Sequence, residues 1–154
     1  ATHRGTHSNS KLYIYYADRF AGPYQEHAGN PVKNNLDGSR PAGNFLFMHG
    51  QIIRPTQNSA EYYGKSITLN KIVKLTETEF EEEVMLKVLP PTNGDFLYAI
   101  HTINFIDDVI VIDGLKRIFM PMEKLNLFIR KKLGLIKSIY PVTQLYLFNE
   151  YMLL

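Results

Sequence analysis

The run Asn44-Phe45-Leu46-Phe47-Met48-His49-Gly50-Gln51-Ile52-Ile53-Arg54 decides the fold class. Two short apolar runs, 44–48 and 51–54, are joined at His49-Gly50, which reads as a tight hairpin. Working outward, Lys65 to Leu75 and Phe80 to Leu89 are two more strands. In the second, Phe80, Val84, Leu86 and Val88 fall on one face, which Glu82 interrupts. Upstream, Leu12 to Ala17 is a compact aromatic strand closed by the turn residues 18–23. Residues 26–43 are rich in Gly, Pro, Asn and Asp with almost no apolar period, and read as a long surface loop. Downstream, Phe96 to Phe105 and Val109 to Ile112 flank a turn at Asp107-Asp108 and end at Asp113-Gly114. Residues 12–113 therefore hold about seven short strands with turn signals roughly every ten residues, the spacing of a sandwich, barrel or propeller.

Composition narrows the function. The chain has 154 residues, 45% apolar and 21% charged, with 10 Tyr, 9 Phe and no Cys. That suits one globular domain biased toward strands. Without cysteine there is no disulfide framework and no thiolate zinc site. A formal charge of +2 is too small to imply nucleic acid. No stretch reaches the roughly 18 uninterrupted apolar residues of a membrane helix, so no transmembrane segment is expected. With no signal-like apolar core and no Asn-x-Ser/Thr acceptor, a cytoplasmic setting is favoured.

The last forty residues differ in pattern. Pro121, Glu123, Arg130-Lys131-Lys132 and Gly134 stand where a helix start and stop want them, and Met122, Leu125, Ile129 and Leu133 repeat at helical spacing. The sequence predicts a C-terminal helix over about 121–133. Beyond it, 145–148 fits either a strand or a helix.

Several polar residues sit beside strands where patterning does not require them: Arg40, Arg54, Gln57, Tyr63, His101 and Asn104. Arg40 and Arg54 flank one hairpin, so their guanidinium forks could converge on a carboxylate, phosphate or sugar hydroxyl. Gln57 and Asn104 both donate and accept, which matches a sugar hydroxyl, and a Tyr ring can stack on a pyranose. Structural readings stand beside each of these. Arg54 could pair with an acidic neighbour, His101 could be a hydrogen-bonded core histidine, and Asn104 could satisfy a turn. Tyr63 fits a core or rim position, and Glu81-Glu82-Glu83 reads as a solvated strand edge.

Catalytic signatures are missing: no nucleophile elbow, phosphate loop or metalloprotease helix motif, and no carboxylate pair set by spacing. No catalytic residue, metal or cofactor is expected. His3 and His7 are four apart, in a terminal segment unsuited to a metal site.

The order Leu12-Tyr13-Ile14-Tyr15-Tyr16-Ala17-Asp18, Gly22-Pro23-Tyr24, His27, Asn30-Pro31-Val32, Ser39-Arg40-Pro41-Ala42-Gly43, Arg54-Pro55-x-Gln57, Tyr63-Gly64, Ile72, Leu75, and His101-Thr102-x-Asn104 with Asp113-Gly114 is distinctive as a set. It resembles the glycoside hydrolase family 43-like five-bladed propeller domain of bacterial formyltransferase-like proteins and plant glucosamine inositolphosphorylceramide transferases, from Lys11 to Leu115. The resemblance implies inner strands around a central pocket faced by Arg40, Arg54, Gln57, Tyr63, His101 and Asn104, with transfer chemistry in a separate domain.

A blade takes about 40–50 residues, so the chain holds two to three of five blades. The expectation is an all-β, partial five-bladed β-propeller over 1–115, its C-terminal part, followed by a helix and apolar tail over 116–154, the whole being the C-terminal part of a larger protein or a truncated product. Its expected role is that of a non-catalytic carbohydrate-recognition module, for a sugar or sugar-nucleotide, serving a formyl- or glycosyltransferase. Two alternatives stay open. One is a glycosidase whose carboxylates lie partly in missing blades. The other is a structural module that forms homo-oligomers through open strand edges or the 121–133 helix.

Overall fold

The computed structural model describes residues 7–95, 97–106, 109–116 and 132–134. Among the described residues eleven strands form: β1 (Lys11–Leu12), β2 (Tyr15–Tyr16), β3 (Gln25–Glu26), β4 (Lys33–Asn34), β5 (Asp37–Pro41), β6 (Leu46–Met48), β7 (Gln51–Asn58), β8 (Ser66–Leu75), β9 (Phe80–Val88), β10 (Ala99–Ile106) and β11 (Val109–Leu115). The main sheet runs β5-β7-β8-β9, with β6 also paired to β7, and all its pairs are antiparallel. Three two-stranded ladders, β1-β4, β2-β3 and β10-β11, complete the architecture. Among the described residues no sheet closes into a barrel, and no helix is long and apolar enough to cross a membrane. The helix expected over 121–133 and the segment 145–148 lie outside the described residues, apart from 132 and 133.

The hairpin expected at His49-Gly50 forms. His49 (φ 48°) and Gly50 (φ 74°) both occupy the left-handed region, the requirement of a two-residue turn whose twist matches its strands. Met48 then faces Gln51, and Leu46 faces Ile53.

Alternation along β7 and β8 gives the main sheet two unlike faces. Ile53, Pro55 and Gln57 of β7 share one face with Ile67 and Leu69 of β8. On that face the core gathers Ala42, Leu46, Ile53, Ile67, Leu69, Ile100 and Ile103, with Leu86 and Val88 against it. The other face is polar yet equally buried: Arg54, Thr56 and Asn58 stand opposite Asn70, Thr68 and Ser66. There Asn70 Nδ2 donates to Thr56 Oγ1 (2.8 Å), and Thr56 Oγ1 donates to the Thr68 carbonyl (3.2 Å), while Arg54 Nη1 and Thr68 Oγ1 find no partner among the described residues.

Three sequence readings need correction. The segment 26–43 is not a plain surface loop: it carries β4 and β5, and His27, Gly38, Ser39 and Ala42 are buried. Its backbone bonds go to neighbouring strands, which needs no apolar period. The strand expected at 12–17 is split into β1 and β2. Between them the Asn30 side chain stands in for a strand partner, accepting from Ile14 N–H and donating to Ile14 O, both at 2.8 Å.

The third correction concerns β9. Leu69 pairs with Leu86 but Asn70 with Val84, so a bulge inserts Met85. One extra residue moves everything before it to the opposite face. Val84 leaves the apolar row, and Glu82 turns onto the buried polar face, where its side chain is 5% exposed. Glu82 is therefore not part of a solvated edge, whereas Glu81 and Glu83 are exposed.

Candidate functional site

The β10–β11 hairpin packs on the apolar face of the main sheet through two backbone bonds, Ile103 N–H to Ala42 O (2.7 Å) and Ile100 N–H to Gly64 O (2.8 Å). Both contacts rest on glycine. A Cβ on Gly43 would lie 1.9 Å from the Ile103 carbonyl oxygen, and one on Gly64 (φ 78°) would lie 2.4 Å from His101 Cδ2. His101 thus lies flush against a bare stretch of backbone.

Within the hairpin, pairing is regular up to Ile100↔Gly114 and resumes at Ile103↔Ile112, leaving His101 and Thr102 opposite Asp113 alone. The Asp113 carboxylate fills that break. Its Oδ1 accepts from the backbone N–H groups of His101 (2.8 Å) and Thr102 (2.5 Å), and its Oδ2 lies 2.9 Å from His101 Nδ1. Burial pushes the carboxyl up, but the bond from the His101 ring, the two backbone bonds and the attraction of the imidazole charge outweigh it. They hold Asp113 below the ordinary carboxylate value. A carboxylate at this atom keeps the proton of His101 on Nδ1 and leaves Nε2 as the ring's other hydrogen-bonding atom.

Tyr63 ties this pair to the main sheet. Its ring centroid is 4.7 Å from that of His101 at an interplanar angle of 33°, and the Arg40 guanidinium carbon is 5.2 Å from the same centroid. Arg40 also donates from Nη1 to Asn9 Oδ1 at 2.8 Å. Gln57 faces Arg40 directly across the β5–β7 ladder, so both side chains leave the sheet on the same face. Gln57 is 1% exposed and its Nε2 has no hydrogen-bond partner among the described residues, whereas Tyr63 is 47% exposed.

Arg40, Tyr63 and His101 thus gather at one place, with Gln57 alongside. The other two candidates sit elsewhere. Arg54 emerges on the opposite face, where its Nε and Nη2 grip the two oxygens of Glu82, each at 2.7 Å, and Nη2 also reaches Gly38 O. Lys33 donates to the same Glu82 carboxylate. Arg40 and Arg54 therefore do not converge, because the odd spacing between Arg54 and Gln57 along β7 puts them on different faces. A cavity of about 390 Å³ beside Glu82 is lined by Val32, Lys33, Val73, Phe80, Glu81, Glu82 and Glu83. Asn104 accepts the backbone N–H of Asn44 at 3.1 Å, bracing the Gly43-Asn44 bend.

Asp113, Glu82, Asn9 and Gly64 were not among the binding residues expected from the sequence. Asp113-Gly114 looks like a strand-ending turn until the break opposite it is known, and nothing in the sequence announces the bulge that turns Glu82 inward. Among the described residues, no group of His, Asp and Glu side chains could hold a metal ion.

Comparison with known proteins gives this geometry a family. The chain is 35% identical over 83 residues to glucosamine inositolphosphorylceramide transferase 1 of Oryza sativa subsp. japonica, covering 53% of the chain and 11% of that protein. The protein of the same name from Oryza sativa subsp. indica matches with the same figures. The one from Arabidopsis thaliana is 32% identical over 80 residues, covering 51% of the chain and 10% of that protein. The matched stretch is thus about a tenth of each relative's length. No solved structure matches the chain. The family model described as glucosamine inositolphosphorylceramide transferase 1, N-terminal, matches residues 1–108, and the chain belongs to that family.

Proposed function

We propose that this chain is a carbohydrate-recognition module of a sugar-modifying transferase, and that Arg40, Tyr63, His101 and Gln57 form its binding surface. The observation that carries the reading is the cluster itself. Tyr63 is half exposed and has a guanidinium and a carboxylate-oriented imidazole as near neighbours. Such a surface offers donors, an acceptor and an aromatic ring within the span of one monosaccharide. The family supports a transferase setting, since the matched relatives are transferases by name and the family model is that of an N-terminal part.

The same reading takes the described strands as blades of a partial five-bladed propeller of the glycoside hydrolase family 43 type. Residues 1–115 form the blade unit and 116–154 a separate segment. The four-stranded antiparallel path β5-β7-β8-β9 has the strand number of one blade, and the β10–β11 hairpin packed beside it fits the start of the next. The module recognises and does not cleave. Asp113 is spent on the hairpin and Glu82 on Arg54 and Lys33, which leaves neither free as a general acid.

Titration calorimetry against neutral, amino and nucleotide-linked sugars, with product analysis of the same mixtures, tests this. Saturable binding without bond cleavage, lost in a folded Arg40→Ala variant, is the expected result. Release of free sugar, or a panel to which the chain is indifferent, contradicts it.

A further inference from the structure

The polar groups around Tyr63 are out of balance, and the imbalance bears on the chemistry of the ligand. Arg40 carries five N–H donors and a fixed positive charge. Its polar contact is with the neutral Asn9 amide, and it makes no ion pair among the described residues. Gln57 Nε2, across the ladder from Arg40, is a buried donor without a partner among the described residues, a state that an ordered water or a ligand oxygen relieves. The one carboxylate of the cluster cannot neutralise Arg40, because both Asp113 oxygens are committed to the hairpin. Arg54 is the contrast in charge: its guanidinium is met by the bidentate Glu82 on the other face, although its buried Nη1 also lacks a partner among the described residues.

Resting on the recognition reading above, we infer that the cluster takes a sugar bearing an oxyanion, a phosphate or a carboxylate. Arg40 is its ion partner and Gln57 Nε2 a flanking donor. His101, whose Nδ1 is engaged by Asp113, offers Nε2 to a neighbouring hydroxyl. Arg guanidinium matches the planar or tetrahedral oxygens of such a group with paired bonds, which neutral sugar hydroxyls cannot return at equal strength. Arg54 braces the sheet through Glu82 and Gly38.

The test is calorimetry on the full chain with glucose, glucose 1-phosphate, glucuronate and inorganic phosphate, for wild type, Arg40→Gln and Gln57→Leu, each variant first checked for its β-sheet circular dichroism. The inference expects at least one anionic sugar to bind about tenfold or more tighter than glucose, the margin of a charge-assisted over a neutral hydrogen bond. The phosphate and carboxylate arms tell which oxyanion is preferred. Arg40→Gln is expected to erase that margin, and Gln57→Leu to reduce it severalfold. Equal affinity for glucose and its anionic forms overturns the oxyanion assignment while leaving sugar recognition standing. An anionic preference that survives in folded Arg40→Gln overturns the role of Arg40. Arg40-dependent binding of inorganic phosphate with no sugar bound supports the anion site and overturns the recognition reading. A chain that binds none of the four overturns both.

Discussion

His101 and Asp113 meet twice: side chain to side chain, Nδ1 to Oδ2 at 2.9 Å, and backbone to side chain, with the His101 N–H donating to Asp113 Oδ1 at 2.8 Å. The first contact sets the imidazole; the second holds the strand that carries it. One carboxylate thus couples the hairpin's integrity to the orientation of a site residue.

That coupling has a pH signature. The folded carboxyl of Asp113 is held below its unfolded value, so its contribution to stability is present above the unfolded pKa and is lost as pH falls through the folded one. Denaturant titrations below about pH 4, the ordinary range of an aspartate, should show wild type losing a component that Asp113→Asn never has. At neutral pH the same variant should be less stable by roughly 1–3 kcal/mol, the cost of disturbing hydrogen bonds to a buried charged group. Parallel acid profiles for the two proteins would exclude this role.

Glu82 anchors the opposite face. Its carboxylate takes both forks of Arg54 and the Lys33 ammonium, with the Arg54 and Glu82 side chains each 5% exposed. Removing one member of a buried pair leaves an uncompensated charge, so Glu82→Ala should cost about 3–5 kcal/mol, read as a fall in the urea midpoint. Replacing Arg54 and Glu82 together by apolar residues of similar size should recover much of that loss. A Glu82→Ala midpoint close to wild type would mean the pair is solvated in solution.

Gly64 is the floor beneath His101. Its φ of 78° and the 2.4 Å approach of a Cβ to His101 Cδ2 combine two penalties in one position. Gly64→Ala should therefore lower stability by more than about 1 kcal/mol and displace the imidazole from the Tyr63 ring, visible as shifted His101 ring resonances. Gly50→Ala, at a turn where a Cβ would meet nothing within 4 Å, should leave those resonances in place and so serves as the control.

How far the sequence carries can be judged residue by residue. The strand-rich class and the His49-Gly50 hairpin were legible because turn chemistry is local: two left-handed residues between apolar runs have few other uses. The family resemblance rested on ordered short motifs, and its transferase link is the part that the family match supports. The grouping of Arg40, Tyr63 and His101 was visible only as a set of residue types. Their meeting depends on the hairpin crossing onto Gly43 and Gly64, a long-range contact with no local signature. The fate of Glu82 was hidden for a sharper reason. A single bulged residue, Met85, reverses the face of the strand before it, and strict alternation then assigns the wrong side. Arg54 was ambiguous for the same cause, since its partner was misplaced.

The most direct test of the account is a two-dimensional NMR titration of the chain with sugar ligands, following the ring signals of Tyr63 and His101 assigned through Tyr63→Phe and His101→Gln variants. The account predicts saturable shifts centred on these two rings and on the Arg40 and Gln57 side-chain N–H groups, with Asn104 and Arg54 little changed. Shifts that leave those signals untouched while moving the Lys33–Glu82 cavity, or no shifts at all, would contradict it.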